Sequence, residues 1–259
     1  MGAFHGKRSI SRIRCALSPD RRRIARLMTA NSGHDEPALV RRLYGRSSGK
    51  ALRAGQERLL AETLPLFSIA PEALAAGHGF ATPLREVWLE IGFGAGEHLI
   101  EQAKANPDVG VVGCEPFLNG VVALLAGIER EQLSNVRLRR GDAQSLIEAA
   151  PDAFFSRIFM LYPDPWPKRR HHKRRVVAIG MIEAMARVMR SGAELRFATD
   201  IDDYAGWTLR RFLASPHFRW AATRADDWRR PWPQWRPTRY EAKARNGGRR
   251  SVYLTFVRL

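Results

Sequence analysis

Apolar positions along this chain follow two periods in turn. Short runs rich in Val, Ile, Leu and Phe and bounded by Gly, Pro, Asn or Asp lie at 86–91, 109–114, 136–139, 157–161 and 194–198, which predicts strands. Stretches with apolar residues three and four apart lie at 97–105, 118–130, 176–189 and 203–213, which predicts helices. A short strand near Phe218 and a last one at 251–257 complete the set. Strands alternating with helices build a parallel sheet covered on both faces. The last strand follows no crossover helix and so enters antiparallel, as mixed sheets allow. The predicted fold class is therefore α/β: a doubly wound, mostly parallel seven-stranded sheet with its last strand antiparallel. Upstream, Leu59, Leu60, Leu64 and Phe67 recur at helical spacing from Gln56 onward, and Pro65 marks where that short docking helix ends or bends. Residues 1–50 mix Arg, Ser and Gly with little periodicity and read as a flexible basic arm, which leaves 51–259 as the folded domain.

The 259 residues are 45% hydrophobic and 9% aromatic, enough to bury a core, so global disorder is excluded. The longest nearly charge-free apolar stretch, 120–128, falls far short of the roughly 20 residues a bilayer span needs. The basic amino terminus lacks the apolar region of a secretory signal, so a cytoplasmic protein is expected. Cys15 and Cys114 stand in unlike surroundings and fit free thiols better than a disulfide or a thiolate metal site.

Charge changes the picture more. The formal net charge is +17, and it is arranged in blocks. Residues 1–60 hold 14 basic and four acidic side chains, whereas 61–167 hold seven basic and 14 acidic ones. The run KRRHHKRR at 168–175 has six Lys and Arg and no acid, and 219–250 carries ten basic against three acidic groups. Basic segments flanking an acidic centre point to a polyanion, nucleic acid first, held around a site of different chemistry. The competing reading is a merely solvated surface.

The strand ending in LEIG runs into GFGAGEHL, which puts Gly92, Gly94 and Gly96 on a strand-to-helix turn where backbone amides can approach a ligand. A dinucleotide fingerprint would need glycine at position 97, but Glu97 stands there and would repel a pyrophosphate. An adenosyl cofactor without phosphates, S-adenosylmethionine, fits better. Glu115 ends the second strand, where a carboxylate can accept from both ribose hydroxyls. Asp142 follows the third and can accept from the adenine amine. Glu90, inside the first strand, needs a partner such as the ligand's ammonium. A glycine turn alone is common; three carboxylates at successive strand ends make it specific.

Strand SRIFMLY ends in PDPWPKRRHHKRR, where Pro163, Pro165 and Pro167 stiffen the backbone around Asp164 and Trp166. This turn lies beside the first strand, so Asp164 should point into the cofactor cleft, with the cations beyond it meeting the polyanion. His171 and His172 lack a third ligand at metal spacing and read as surface residues, so no metal is expected. Asp200 closes the next strand, either facing the ligand or capping a helix. Trp220, Trp228, Trp232 and Trp235, interleaved with arginines, either stack bases or pack a Pro-rich lid. Thr238, Arg239 and Glu241 sit in what reads as a loop before the final strand.

The segments LEIGFGAGEHL, GCEP, PDPWPKRRHHKRR, ATD and RPTRYE together resemble the bacterial tRNA (guanine-N7)-methyltransferase family over about 45–259, with PDPW and the basic run the most specific. The resemblance implies a Rossmann-like S-adenosylmethionine-dependent fold and methyl transfer to N7 of the variable-loop guanosine of tRNA. It implies cofactor roles for Glu90, Glu115, Asp142 and Asp164, Asp164 also being the catalytic residue. It assigns Lys168, Asp200, Thr238, Arg239, Tyr240 and Glu241 to substrate, and 170–175, including Arg170, Lys173, Arg174 and Arg175, to RNA contact. Other readings are a methyltransferase for another acceptor, an RNA-binding protein with an inactive cofactor site and, weakest, a nicotinamide oxidoreductase.

Overall fold

The computed structural model describes residues 47–76, 79–80, 84–233 and 235–259. A helical lead-in runs through α1 (Ala54–Arg58), a π turn (Leu59–Thr63) and α2 (Leu64–Phe67), followed by α3 (Pro71–Ala75). The helix does not stop at Pro65. The π turn just upstream widens the helix before it, with the Leu64 N–H bonding the Leu59 carbonyl, and Pro65 then occupies the first turn of α2, where a missing N–H is tolerated. Most of the arm expected over 1–50 lies outside the described residues. Its last positions are tied to the domain: the Ser47 carbonyl accepts from Leu118 N–H at 2.9 Å, and Gly49 N–H donates to Asn119 at 2.7 Å.

The central elements follow in the order β1 (Glu86–Ile91), α4 (Glu97–Ala105), β2 (Val109–Glu115), α5 (Leu118–Glu131), β3 (Val136–Arg140), α6 (Gln144–Ala149) and β4 (Phe155–Leu161). After a 3-10 turn (Arg169–Arg174) come α7 (Ile179–Val188), β5 (Met189–Thr199), α8 (Asp202–Ala214), β6 (Phe218–Trp220), α9 (Asp226–Arg229), α10 (Arg239–Asn246) and β7 (Val252–Arg258). The seven strands form one sheet in the order β3-β2-β1-β4-β5-β7-β6. The first five are parallel, and β7 runs antiparallel to both β5 and β6. The α/β class, the doubly wound sheet and its antiparallel last strand are thus as the sequence predicts.

Two local expectations change. The helix expected from Val176 begins only at Ile179, after Ala178, which is extended with φ of −109° and ψ of 159°. The segment read as a loop around Thr238 is the capped helix α10, where the Thr238 hydroxyl accepts from Glu241 N–H at 3.3 Å.

Alternation along each strand feeds two cores. Leu89, Val112, Ile158, Met160, Leu195 and Phe197 face α7 and α8, while Trp88, Val111 and Phe159 face the side covered by α4 and α5. Burying each such side chain contributes about 1.5–3 kcal/mol. The arrangement puts β2 and β4 on either side of β1, with crossovers to opposite faces, so a crevice opens beyond the carboxyl ends of β1 and β4. No helix among the described residues is long and apolar enough to cross a membrane.

Candidate functional site

A cavity of about 540 Å³ fills that crevice, lined among others by Gly92, Gly94, Glu115, Asp142, Asp164 and Tyr240. The glycine turn forms its floor, with φ of 75°, 59° and 82° at Gly92, Gly94 and Gly96, a region that side chains disfavour. Helix α5 is pressed against it: a Cβ on Gly120 would lie 2.2 Å from the Gly94 carbonyl oxygen. Only glycine at 120 lets the helix and the turn meet so closely.

Glu115 is buried at the end of β2, where one carboxylate oxygen accepts from Gly94 N–H at 2.8 Å and the other from Phe117 N–H at 2.9 Å. Burial pushes its carboxyl up, and the two amides counter that. The carboxylate therefore shapes the glycine turn and still has lone pairs facing the cavity. Asp142 accepts from Gln144 N–H at 3.0 Å, which orients it at the start of α6. Tyr240, in the first turn of α10, leans over the turn with its ring 3.3 Å from where a Gly94 Cβ would be, and Arg239 pairs with Glu97 at 3.5 Å.

Asp164 projects into the mouth of the cavity from the turn after β4. It keeps solvent access, but the cleft walls displace much of the water around its carboxyl and push it above the ordinary range. It is close enough to Glu115 for its charge to raise that group too. The backbone beneath it is strained: Tyr162 has φ of 51° and Trp166 has φ of 42°, each costing on the order of 1–3 kcal/mol. Surrounding bonds hold it. Tyr162 N–H donates to the Ala198 carbonyl at 2.8 Å and its hydroxyl to Ser251 at 2.8 Å, while the Arg174 guanidinium lies 4.9 Å from the Trp166 ring.

Other expected site residues lie elsewhere. Glu90 does not line the cavity; its carboxylate meets His98 Nδ1 at 2.7 Å, both side chains buried. His98 is the partner that sequence reasoning missed, although its place in the first turn of α4, right after the glycine turn, was a signal. Asp200 is paired with Arg249 at 2.5 Å. Glu241 is buried and accepts from Trp235 at 2.6 Å, Tyr253 at 2.9 Å and Arg245 at 3.0 Å, so with Thr238 it builds α10 from within. Lys168, Arg170 and Lys173 are exposed, as phosphate contacts require.

Two expectations need correction, and a third that was open is narrowed. Arg175 is 0% exposed and bonds Pro165 and Asp203, so it cannot reach a phosphate from this conformation. His172, read as a surface residue, is buried edge-on to the Trp207 ring at 5.2 Å. Among the tryptophans, Trp228 is buried, Trp232 donates to Thr255 at 2.8 Å and packs on Tyr253, and Trp235 is bound as above; lid packing describes these three, not open base stacking. Among the described residues no three His, Cys, Asp or Glu side chains are grouped to hold a metal ion.

A family profile described as a putative methyltransferase matches residues 85–254. A tRNA (guanine-N(7)-)-methyltransferase of Rhodopseudomonas palustris strain HaA2 is 48% identical over 218 residues, covering 83% of this chain and 85% of that protein. One from Azorhizobium caulinodans is 48% identical over 217 residues, covering 83% of this chain and 94% of the relative. Among solved structures, the 16S rRNA methyltransferase KamB superposes with a TM-score of 0.49 at 17% identity, over 68% of this chain and 90% of that one. With relatives this similar along most of its length, the chain is an enzyme of the tRNA (guanine-N7)-methyltransferase family.

Proposed function

We propose that the protein moves a methyl group from S-adenosylmethionine to N7 of the variable-loop guanosine of tRNA, with Asp164 as the residue that meets the base. The observation that carries this reading is the placement of Asp164 in one cavity with Glu115 and Asp142, next to the exposed cations of 168–173. The tRNA (guanine-N(7)-)-methyltransferases among its relatives support the acceptor.

The residues present suit that cofactor. The cavity is of a size typical for a cofactor site. Glu115 and Asp142 stand at neighbouring strand ends as acceptors for ribose hydroxyls and an adenine amine, and Glu97 beside the glycine turn disfavours a phosphate. When bound, the cofactor supplies an electrophilic methyl on a sulfonium centre.

What remains for the protein is alignment. Guanine N7 carries an in-plane lone pair and no proton at neutral pH, so no general base has to expose it. Holding N7 in line with the methyl supplies rate through proximity and orientation. Asp164 is suited to accept from guanine N1–H or its amine and to favour the positive charge that the ring gains on methylation. Asp200 pairs with Arg249 and does not line the cavity, which favours Asp164 as the reader of the base. Lys168, Arg170 and Lys173 are placed to hold the flanking phosphates.

Incubation of the purified protein with labelled S-adenosylmethionine and unmodified tRNA, followed by nuclease digestion and mass mapping, tests the reading. Label at N7 of the variable-loop guanosine is expected. Label on another atom, or no transfer to tRNA, would overturn it.

A further inference from the structure

The peptide that carries Asp164 is bent against the preferences of its own residues at Tyr162 and Trp166, so something outside it must fix its course. On the β4 side that hold comes from Ala198 and Ser251. On the other side, Arg175 Nε donates to the Pro165 carbonyl, one residue after Asp164, at 2.9 Å. The same guanidinium bonds the carboxylate of Asp203 in the first turn of α8. It lies between aromatic rings, 4.8 Å from that of Tyr204 and 4.9 Å from that of Trp207. An arginine sealed in this way is committed to its protein partners. We infer that Arg175 is a positioning residue that holds the Asp164 turn in the cleft by tying the Pro165 carbonyl to the start of α8.

This inference rests on the reading of Asp164 given above. It separates Arg175 from the cations with which it shares a run: Arg170 and Lys173 face solvent, whereas Arg175 turns inward and sets the height of the turn. Lysine cannot replace it, because a single ammonium lacks the planar fork that joins a carbonyl to a carboxylate and stacks between rings. A carboxylate displaced by about 1 Å loses its geometry on the base, and such a displacement costs on the order of 10²-fold in rate.

The test compares Arg175→Met, Arg175→Lys, Asp203→Asn and Asp164→Asn with wild type. The readouts are the single-turnover methyl transfer rate at saturating tRNA and S-adenosylmethionine, expressed per cofactor-binding site, and tRNA affinity across a salt titration. Both Arg175 variants should lose roughly 10- to 100-fold in rate. Their tRNA affinity should stay within about twofold of wild type, and their salt slope should be unchanged. A phosphate-binding arginine would behave otherwise: Arg175→Lys would keep its rate, and Arg175→Met would show a slope shallower by about one unit. Either result overturns the inference, as does a wild-type rate per site in a folded Arg175 variant. Should Arg175→Met fail to fold, Arg175→Lys and Asp203→Asn decide, each expected to lose rate without a change of slope; a wild-type rate in either overturns it. Wild-type turnover by Asp164→Asn would instead condemn the reading of Asp164, so the two failures are distinguishable.

Discussion

Asp164 and Glu115 are both carboxylates raised by the crevice, yet they face different tasks. Glu115 is locked by two backbone amides and shapes the glycine turn, whereas Asp164 stands at the cavity mouth, where the proposed function brings the base. Glu115→Ala removes the acceptor proposed for the cofactor's ribose, so calorimetry should find S-adenosylmethionine affinity lower by about tenfold or more, an effect of about 1–3 kcal/mol. Affinity for tRNA should stay within about twofold; equal losses for both ligands would contradict the assignment. Asp164→Asn removes the charge proposed to favour the cationic product, and its kcat should fall on the order of 10²-fold or more. The fold should not suffer. A carboxyl whose folded pKa is raised contributes stability only below its unfolded pKa and loses it as pH rises through the folded value, so neutral pH already carries the penalty of ionising Asp164. A thermal melt at pH 7 should therefore give Asp164→Asn a Tm equal to or above that of wild type. For the same reason the acid limb of the kcat/KM profile, which reports the free enzyme, should lie above the ordinary aspartate range near 3.9 and vanish in Asp164→Asn. A limb at the ordinary position would remove the cleft's influence from the account.

At the scale of elements, the site depends on how closely helices approach the glycine turn. Gly120→Ala puts a methyl group against the Gly94 carbonyl, and overpacking of this kind costs about 1–3 kcal/mol. Denaturant unfolding should show that loss, together with weaker S-adenosylmethionine binding because the turn is displaced; a neutral Gly120→Ala would contradict the close approach. The strands, the main helices and the sheet order around the crevice were legible in the sequence because strand and helix periods differ and the crossovers leave few topologies. The fate of individual polar side chains was not. Glu90 has the spacing of a ligand-binding residue, but a carboxylate buried in β1 takes the nearest buried partner, and His98 reaches it from α4. Thr238 and Glu241 read as loop residues because Pro237 and the charges around them masked a cap that only the folded α10 reveals. Arg175 looks like any other cation in its run until the fold turns it inward at the end of the 3-10 turn.

For the whole molecule, the blocks of charge become a division of labour. The acidic central segment supplies most of the crevice lining, while exposed Lys168, Arg170 and Lys173 follow the Asp164 turn in sequence. Cations that neutralise phosphates release counterions, so Arg170→Ala/Lys173→Ala should weaken tRNA binding and make its salt dependence shallower by roughly one unit for each phosphate left without its cation. Choice of the guanosine should survive in that variant; an unchanged slope with unchanged affinity would return these cations to ordinary solvated surface. The central claim is that the crevice delivers a methyl group to one ring nitrogen that needs no deprotonation. It is tested most directly by comparing a tRNA with guanosine at the variable-loop site and the same tRNA with 7-deazaguanosine at that single position, where carbon replaces N7. Transfer of labelled methyl to the first and none to the second, at matched binding, is the expected result. Equal transfer to both would contradict the account.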